Sequence, residues 1–173
     1  MGKEEHLKEA PPKLKMAIIS MSTTRTIAED KSGLWMKQKA QELGHEVMSH
    51  QVIPDDHDRI VRTVSECIAD DSPHIILMTG GTGLSPADVT IESVRPMFSK
   101  ELTAFAVLFA QLSFEDIESS AMLSRATAGI IGGTVVFCLP GSLNACKTAC
   151  NRLIFPEVGH IAAHVRTQPL SKG

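Results

Sequence analysis

Apolar positions in this chain alternate between short unbroken runs and longer stretches with helical spacing. Residues 14–21 form the first run, and their pattern predicts a strand ending in the polar loop Ser22-Thr23-Thr24-Arg25-Thr26. Leu34, Met36, Ala40 and Leu43 then recur broadly at helical spacing after Ser32-Gly33, with Gly44 as the stop. Residues 45–53 predict a second strand closed by Pro54-Asp55-Asp56, and Ile60, Val61, Val64 and Ile68 mark one side of the next helix. Ile75-Ile76-Leu77-Met78 is the most strand-like run, and its continuous apolarity suits a parallel strand buried on both faces. Helical patterning follows over 86–98, 102–112 and 119–128, then a turn over 130–133. A strand over 134–139 and a helix over 143–153 complete the series. Strands alternating with helices predict one α/β domain whose parallel sheet is covered on both faces.

Composition narrows the classes of function. The chain has 173 residues, enough for one domain with its own core. A net charge of −3 and 43% hydrophobic residues exclude a disordered or collagen-like chain. Aromatics are only 4%, with no Tyr, which argues against nucleic-acid binding. No apolar run has the length of a membrane span. The charged N-terminus with Pro11-Pro12 lacks a secretory signal, so a cytoplasmic protein is expected. Residues 1–13 read as an N-terminal arm, 14–166 as the domain and 167–173 as a C-terminal tail. Cys146 and Cys150, four residues apart on a helix, are too widely spaced for a disulfide. The four cysteines therefore read as packed thiols.

The unusual residues gather in the loops after the strands, where open parallel sheets bind ligands. Thr79-Gly80-Gly81-Thr82-Gly83 lets backbone N–H groups converge on an anion, although a plain glycine turn explains it too. It is neither a P-loop, which needs a Lys-Ser/Thr pair, nor a dinucleotide G-x-G-x-x-G. Ser85-Pro86-Ala87-Asp88 fits a helix capping box, while Asp88 beside a phosphate loop would equally suit Mg²⁺. Asp55 and Asp56 have the same two readings, as N-caps or as site carboxylates. Arg25, Arg125 and Lys147 are candidate phosphate contacts or solvated cations. The histidines show no metal or triad spacing, and His160 reads as structural.

Met78 to Gly83, Asp88-Val89-Thr90, Ala121 to Ala126 and Leu139-Pro140-Gly141-Ser142, in that order, resemble the MoaB/MogA family of molybdenum cofactor biosynthesis proteins. Asp30-Lys31-Ser32-Gly33, Ile53-Pro54-Asp55-Asp56 and the stretch from Leu153 to His160 look like its MoaB branch. The resemblance implies a three-layer α/β/α sandwich with a mostly parallel, Rossmann-like sheet, assembled as a trimer or hexamer. It implies a molybdopterin adenylyltransferase that uses ATP and Mg²⁺. In that reading Thr79, Gly80, Gly81, Thr82 and Gly83, with Pro140, Gly141 and Ser142, cradle the ligand. Asp55 and Asp88 serve the metal and the transfer, and Ser22, Arg25 and Ser124 line the same mouth. The chain departs from the family at Thr23, often Asp there, and at Ala104-Phe105-Ala106-Val107, usually Gly-Phe-Gly-Glu. These departures motivate an alternative, a non-catalytic molybdopterin-binding scaffold. A generic flavin- or nucleotide-binding module is a third reading.

Overall fold

A computed structural model describes residues 13–166. Residues 1–12 of the expected arm and the expected tail over 167–173 lie outside the described residues. Six strands form one sheet: β1 (Lys15–Met21), β2 (Glu46–Ile53), β3 (Ile75–Thr79), β4 (Lys100–Glu101), β5 (Thr127–Ile131) and β6 (Thr134–Leu139). Their spatial order is β2-β1-β3-β6-β5-β4. The first four are mutually parallel, and β5 and β4 add antiparallel pairs at one side. The sheet is therefore mostly parallel, as expected.

Among the described residues, six α-helices cover it: α1 (Lys31–Glu42), α2 (His57–Asp71), α3 (Thr90–Val94), α4 (Thr103–Ile117), α5 (Leu143–Ala149) and α6 (Phe155–Arg166). Strand side chains alternate between faces, so each central strand feeds two cores. Met16, Ile18, Ile75, Leu77, Val135 and Phe137 point to the layer of α1, α4, α5 and α6, where Met36, Phe109, Ala149 and Val158 meet them. Ala17, Ile19, Ile76, Met78, Val136 and Cys138 point the other way, to Ile60 and Val64 of α2 and Ile91 and Val94 of α3. Each large aliphatic chain so buried contributes about 1.5–3 kcal/mol relative to exposure. Phe105 meets Phe137 edge-on at 5.1 Å, locking α4 onto the sheet.

Four local expectations are corrected. The helix over 119–128 is instead a 3-10 helix, Glu118–Leu123, followed by β5. Thr127, Ile130 and Ile131 favour a strand, and Gly129 leaves room for the Phe98 ring, which a Cβ would strike. The turn predicted at 130–133 contracts to Gly132 and Gly133, both at positive φ. The helix over 86–98 forms only as α3 and a 3-10 turn at Arg95–Met97, because the segment before Thr90 closes on itself. The helix over 143–153 also changes: α5 stops at Ala149, a π-helical turn spans Cys150–Ile154, and α6 continues to Arg166.

Candidate functional site

The carboxyl ends of β1, β2, β3 and β6 deliver four loops to one edge of the sheet. The chain runs from β1 to β2 on one side, and β3 returns to the other side of β1. Such a reversal of strand order opens a crevice. The cleft there has a volume of ≈ 360 Å³. It is lined by Ser22, Thr23 and Arg25 after β1, and by Asp55 after β2. Gly80 to Gly83 with Asp88 line it after β3, and Pro140 and Gly141 after β6. Ser124 and Arg125, which precede β5, complete the wall.

Glycine is required where these loops touch. Gly80 has φ +98°, and a Cβ there would sit 2.5 Å from the Met21 carbonyl oxygen. A Cβ on Gly141 would lie 3.3 Å from the Gly80 Cα. Gly81, at φ +62°, would place a Cβ 2.6 Å from Asp55 Oδ1, and Gly83 one 2.7 Å from Asp88 Oδ2. Bare backbone thus lets two carboxylates press against one loop. The loop is tied down by Thr90, whose Oγ1 donates to the Gly80 carbonyl at 2.9 Å and whose N–H donates to Gly81 at 2.9 Å.

The alternatives for the acids are now distinguished. Asp56 is the N-cap of α2, with Oδ1 accepting from the Arg59 N–H at 2.8 Å, which leaves Asp55 to the cleft. Asp88 Oδ2 accepts from the Ser85 N–H at 2.9 Å, the bond of a capping box, yet no helix starts at Pro86; α3 begins only at Thr90. Asp88 therefore closes a turn and still faces the cleft. Partial burial raises the Asp55 pKa, and the Asp88 charge raises it further against a smaller opposing effect of Arg25.

The other expected residues divide. The Ser22 hydroxyl accepts from the Thr24 and Arg25 N–H groups at 3.3 and 3.1 Å and so shapes the first loop. Thr82, although buried, lines the cleft. Thr79 does not: its hydroxyl donates to the Pro140 carbonyl at 2.9 Å and bridges β3 to the β6 turn. Ser142 caps α5, accepting from the Ala145 N–H at 3.2 Å, and lines a neighbouring cleft. Arg125 is in the wall, ion-paired with Glu92. Lys147 stands 5.9 Å from the Trp35 ring centroid, away from this cleft. Val107, at one family departure, is exposed on α4 and is not part of the lining, whereas Thr23 is.

One supporting group was not anticipated from chemistry. Asp30 caps α1 through the Gly33 N–H at 3.0 Å, and its other oxygen meets His50 Nε2 at 2.7 Å, with both side chains almost fully buried. Burial would raise the Asp30 pKa, but hydrogen bonds from His50 and the Gly33 N–H outweigh it and hold the carboxyl below its usual range. Gly33 is obligatory, because a Cβ would strike both partners. The motif Asp30-Lys31-Ser32-Gly33 was visible in the sequence. Its His50 partner, 20 residues away, carried no signal.

Among the described residues, no group of three or more His, Cys, Asp or Glu side chains is placed to hold a metal by itself. Two carboxylates beside a glycine loop do fit Mg²⁺, which commonly takes one or two carboxylates plus substrate phosphates. No helix among the described residues is long and apolar enough to cross a membrane.

Residues 17–160 match the family described as "Probable molybdopterin binding domain". The chain is 43% identical over 167 residues to molybdenum cofactor biosynthesis protein B of Bacillus subtilis, covering 96% of this chain and 98% of that one. This chain belongs to that family, on its MoaB branch. A crystal structure of a molybdenum cofactor biosynthesis protein B superposes with a TM-score of 0.88 at 42% identity, covering 92% of this chain and 99% of that one. A relative from Pyrococcus furiosus bearing the name molybdopterin adenylyltransferase is 41% identical over 96% of this chain and 99% of its own length. The motifs of the wider family, at Gly80 to Gly83, Asp88, Leu123 to Arg125 and Pro140-Gly141, line the cleft, and of the MoaB-branch motifs Asp55 alone reaches it.

Proposed function

We propose that this chain acts in molybdenum cofactor biosynthesis as a molybdopterin adenylyltransferase, moving AMP from ATP to molybdopterin. The observation that carries the reading is the Asp55–Asp88 pair set against the Gly81–Gly83 backbone in a cleft that also holds Arg25 and Arg125. Two carboxylates so close have a use when a divalent cation and polyphosphate lie between them. The Pyrococcus furiosus relative's name supports the same activity.

In this reaction an oxygen of the pterin's terminal phosphate bonds to the α-phosphorus of ATP. The bond from that phosphorus to the bridging oxygen of the β-phosphate breaks, and pyrophosphate leaves with the electron pair. Glycine-loop amides and the two arginines would hold the phosphates in line, and Asp55 and Asp88 would hold Mg²⁺. When bound, the metal offsets charge on the triphosphate and on the departing pyrophosphate. The protein's contribution is positioning and electrostatics.

The deciding assay incubates the protein with molybdopterin, ATP and Mg²⁺ and measures adenylylated pterin and pyrophosphate. Asp88→Asn is expected to lose roughly 10²-fold or more of the rate. Pterin binding with no product from the unaltered chain would favour the scaffold reading, for which Thr23 in the cleft wall, without a carboxylate, is the supporting observation.

Self-association into a trimer or hexamer belongs to the same proposal. Helix α4 is apolar nearly all round and exposes Val107, Leu108, Phe114 and Ile117, a face suited to burial against another copy. Light scattering at micromolar concentration tests it, and a monomeric mass would reject it.

A further inference from the structure

Helix α6 is seated on the sheet by Val158 and Ala162, both buried in the core. At about 100° per residue, the positions two beyond each of them stand about 200° round the helix, on its opposite face. Those positions are His160 and His164. In the sequence His160 reads as structural, because a spacing of four residues carries no meaning until the segment is helical. The helix makes the two imidazoles neighbours, and the packed face behind them holds both in place.

His160 Nε2 and His164 Nε2 are 2.9 Å apart, with their ring centroids at 4.7 Å. Glu157, one turn earlier, stands with Oε2 3.3 Å from His160 Nδ1. An ionised carboxylate only accepts, so Nδ1 carries the proton and the lone pair on His160 Nε2 is turned to His164. Carboxylate, imidazole and metal in that order is the arrangement in which an acid fixes the ring and raises its basicity. At metal–nitrogen bonds of about 2.0–2.1 Å, two nitrogens at right angles stand about 2.9 Å apart, and two at a tetrahedral angle about 3.3–3.4 Å. The separation in α6 is the right-angle one, the bite of octahedral and square-planar centres. The other histidines among the described residues are engaged elsewhere. His50 meets Asp30, His57 meets Ser93, and His45 and His74 accept from the Leu14 and Lys15 N–H groups.

We propose that His160 and His164 chelate one late first-row divalent cation, of the Ni²⁺ and Cu²⁺ class, through their two Nε2 atoms. Glu157 is the orienting acid, and water completes the shell. Binding moves the His164 proton from Nε2 to Nδ1, so both rings stay neutral and none is released. The cation staples two successive turns of α6. None of the three residues lines the glycine-loop cleft, and imidazole donors do not suit Mg²⁺, so this site is separate from the Asp55 and Asp88 pair.

The test titrates the full chain with Ni²⁺ by calorimetry and with Cu²⁺ by electron paramagnetic resonance, at about pH 7.5, above the ordinary imidazole range. One Ni²⁺ per chain is expected, with a melting temperature that rises with Ni²⁺ and not with Mg²⁺. Cu²⁺ is expected to bind more tightly and to show two equatorial nitrogens. His164→Gln is expected to weaken Ni²⁺ binding about ten-fold or more and to leave one nitrogen on Cu²⁺. His164 is exposed, so without metal this variant is expected to melt as the wild type does. Glu157→Ala is expected to weaken binding about ten-fold while keeping both nitrogens. His6→Gln, which removes the one remaining histidine, is expected to change neither readout. No uptake of Ni²⁺, equal affinity in His164→Gln, or loss of binding in His6→Gln would overturn the proposal.

Discussion

The Ser32 hydroxyl donates to the Gly141 carbonyl oxygen at 3.0 Å, joining the first turn of α1 to the turn after β6, 109 residues away in the chain. Helix α1 contributes no residue to the lining of the glycine-loop cleft, yet it holds one of its walls. Ser32→Ala is expected to cost about 1 kcal/mol of stability. Because Gly141 packs on Gly80, the same change is expected to raise KM for the anionic substrate more than it lowers kcat. Steady-state kinetics beside thermal melts checks the split.

Asp30 lies one layer deeper, and its loss has a different signature. Asp30→Asn keeps an oxygen to cap the Gly33 N–H but replaces the buried carboxylate that faces His50 with a neutral amide, at an expected cost of about 1–3 kcal/mol. With its folded pKa depressed, Asp30 contributes stability that is present above the unfolded value and is lost as pH falls through the folded one. Acid melting curves of the wild type are expected to steepen below the usual carboxylate range. The Asn variant is expected to lack that step.

Asp55 has the opposite sign. Burial and the Asp88 charge raise its pKa, so its ionisation opposes folding, and stability falls as pH rises through the raised value. Asp55→Asn is therefore expected to melt at a higher temperature than wild type at pH 7, and to converge with it in acid. Adenylyl transfer by the same variant is expected to collapse. Melting across about pH 4–8 checks the first expectation, and a lower melting point at pH 7 would contradict it.

Substituting the loop glycines is expected to separate strain from site damage. Gly81→Ala pays about 1–2 kcal/mol for a side chain at positive φ and also displaces Asp55. The φ of Gly83 is not in the left-handed region, so Gly83→Ala is expected to cost little in the backbone while pushing Asp88 aside. It should melt near wild type and lose activity, as a thermal scan and a pyrophosphate assay on one sample would show.

The four thiols give a control on the fold itself. All are free and buried, and burial pushes Cys67 and Cys146 up to about 11 and Cys138 up to about 12. None is expected to react with an alkylating reagent at neutral pH until the chain is denatured. Rapid labelling of the native protein would show that a core strand or helix opens.

The sequence by itself determined the layered α/β class, the three central strands and the loops after them. An unbroken apolar run such as Ile75-Ile76-Leu77-Met78 suits a strand covered on both faces. It also showed the glycine loop and both acids, since those residue types are unusual in any turn. What it left open was decided by partners distant in the chain. Asp55 was left to line the cleft because Asp56 took the cap. Thr79 turned from the cleft because the Pro140 carbonyl lay across from it. The 127–131 segment became a strand rather than a helix because β6 and the Phe98 ring were there to receive it. The Asp30–His50 pair and the Ser32–Gly141 tie have no local signature. Each exists only once the sheet brings its two halves together, because a hydrogen bond between distant residues depends on the fold and not on spacing.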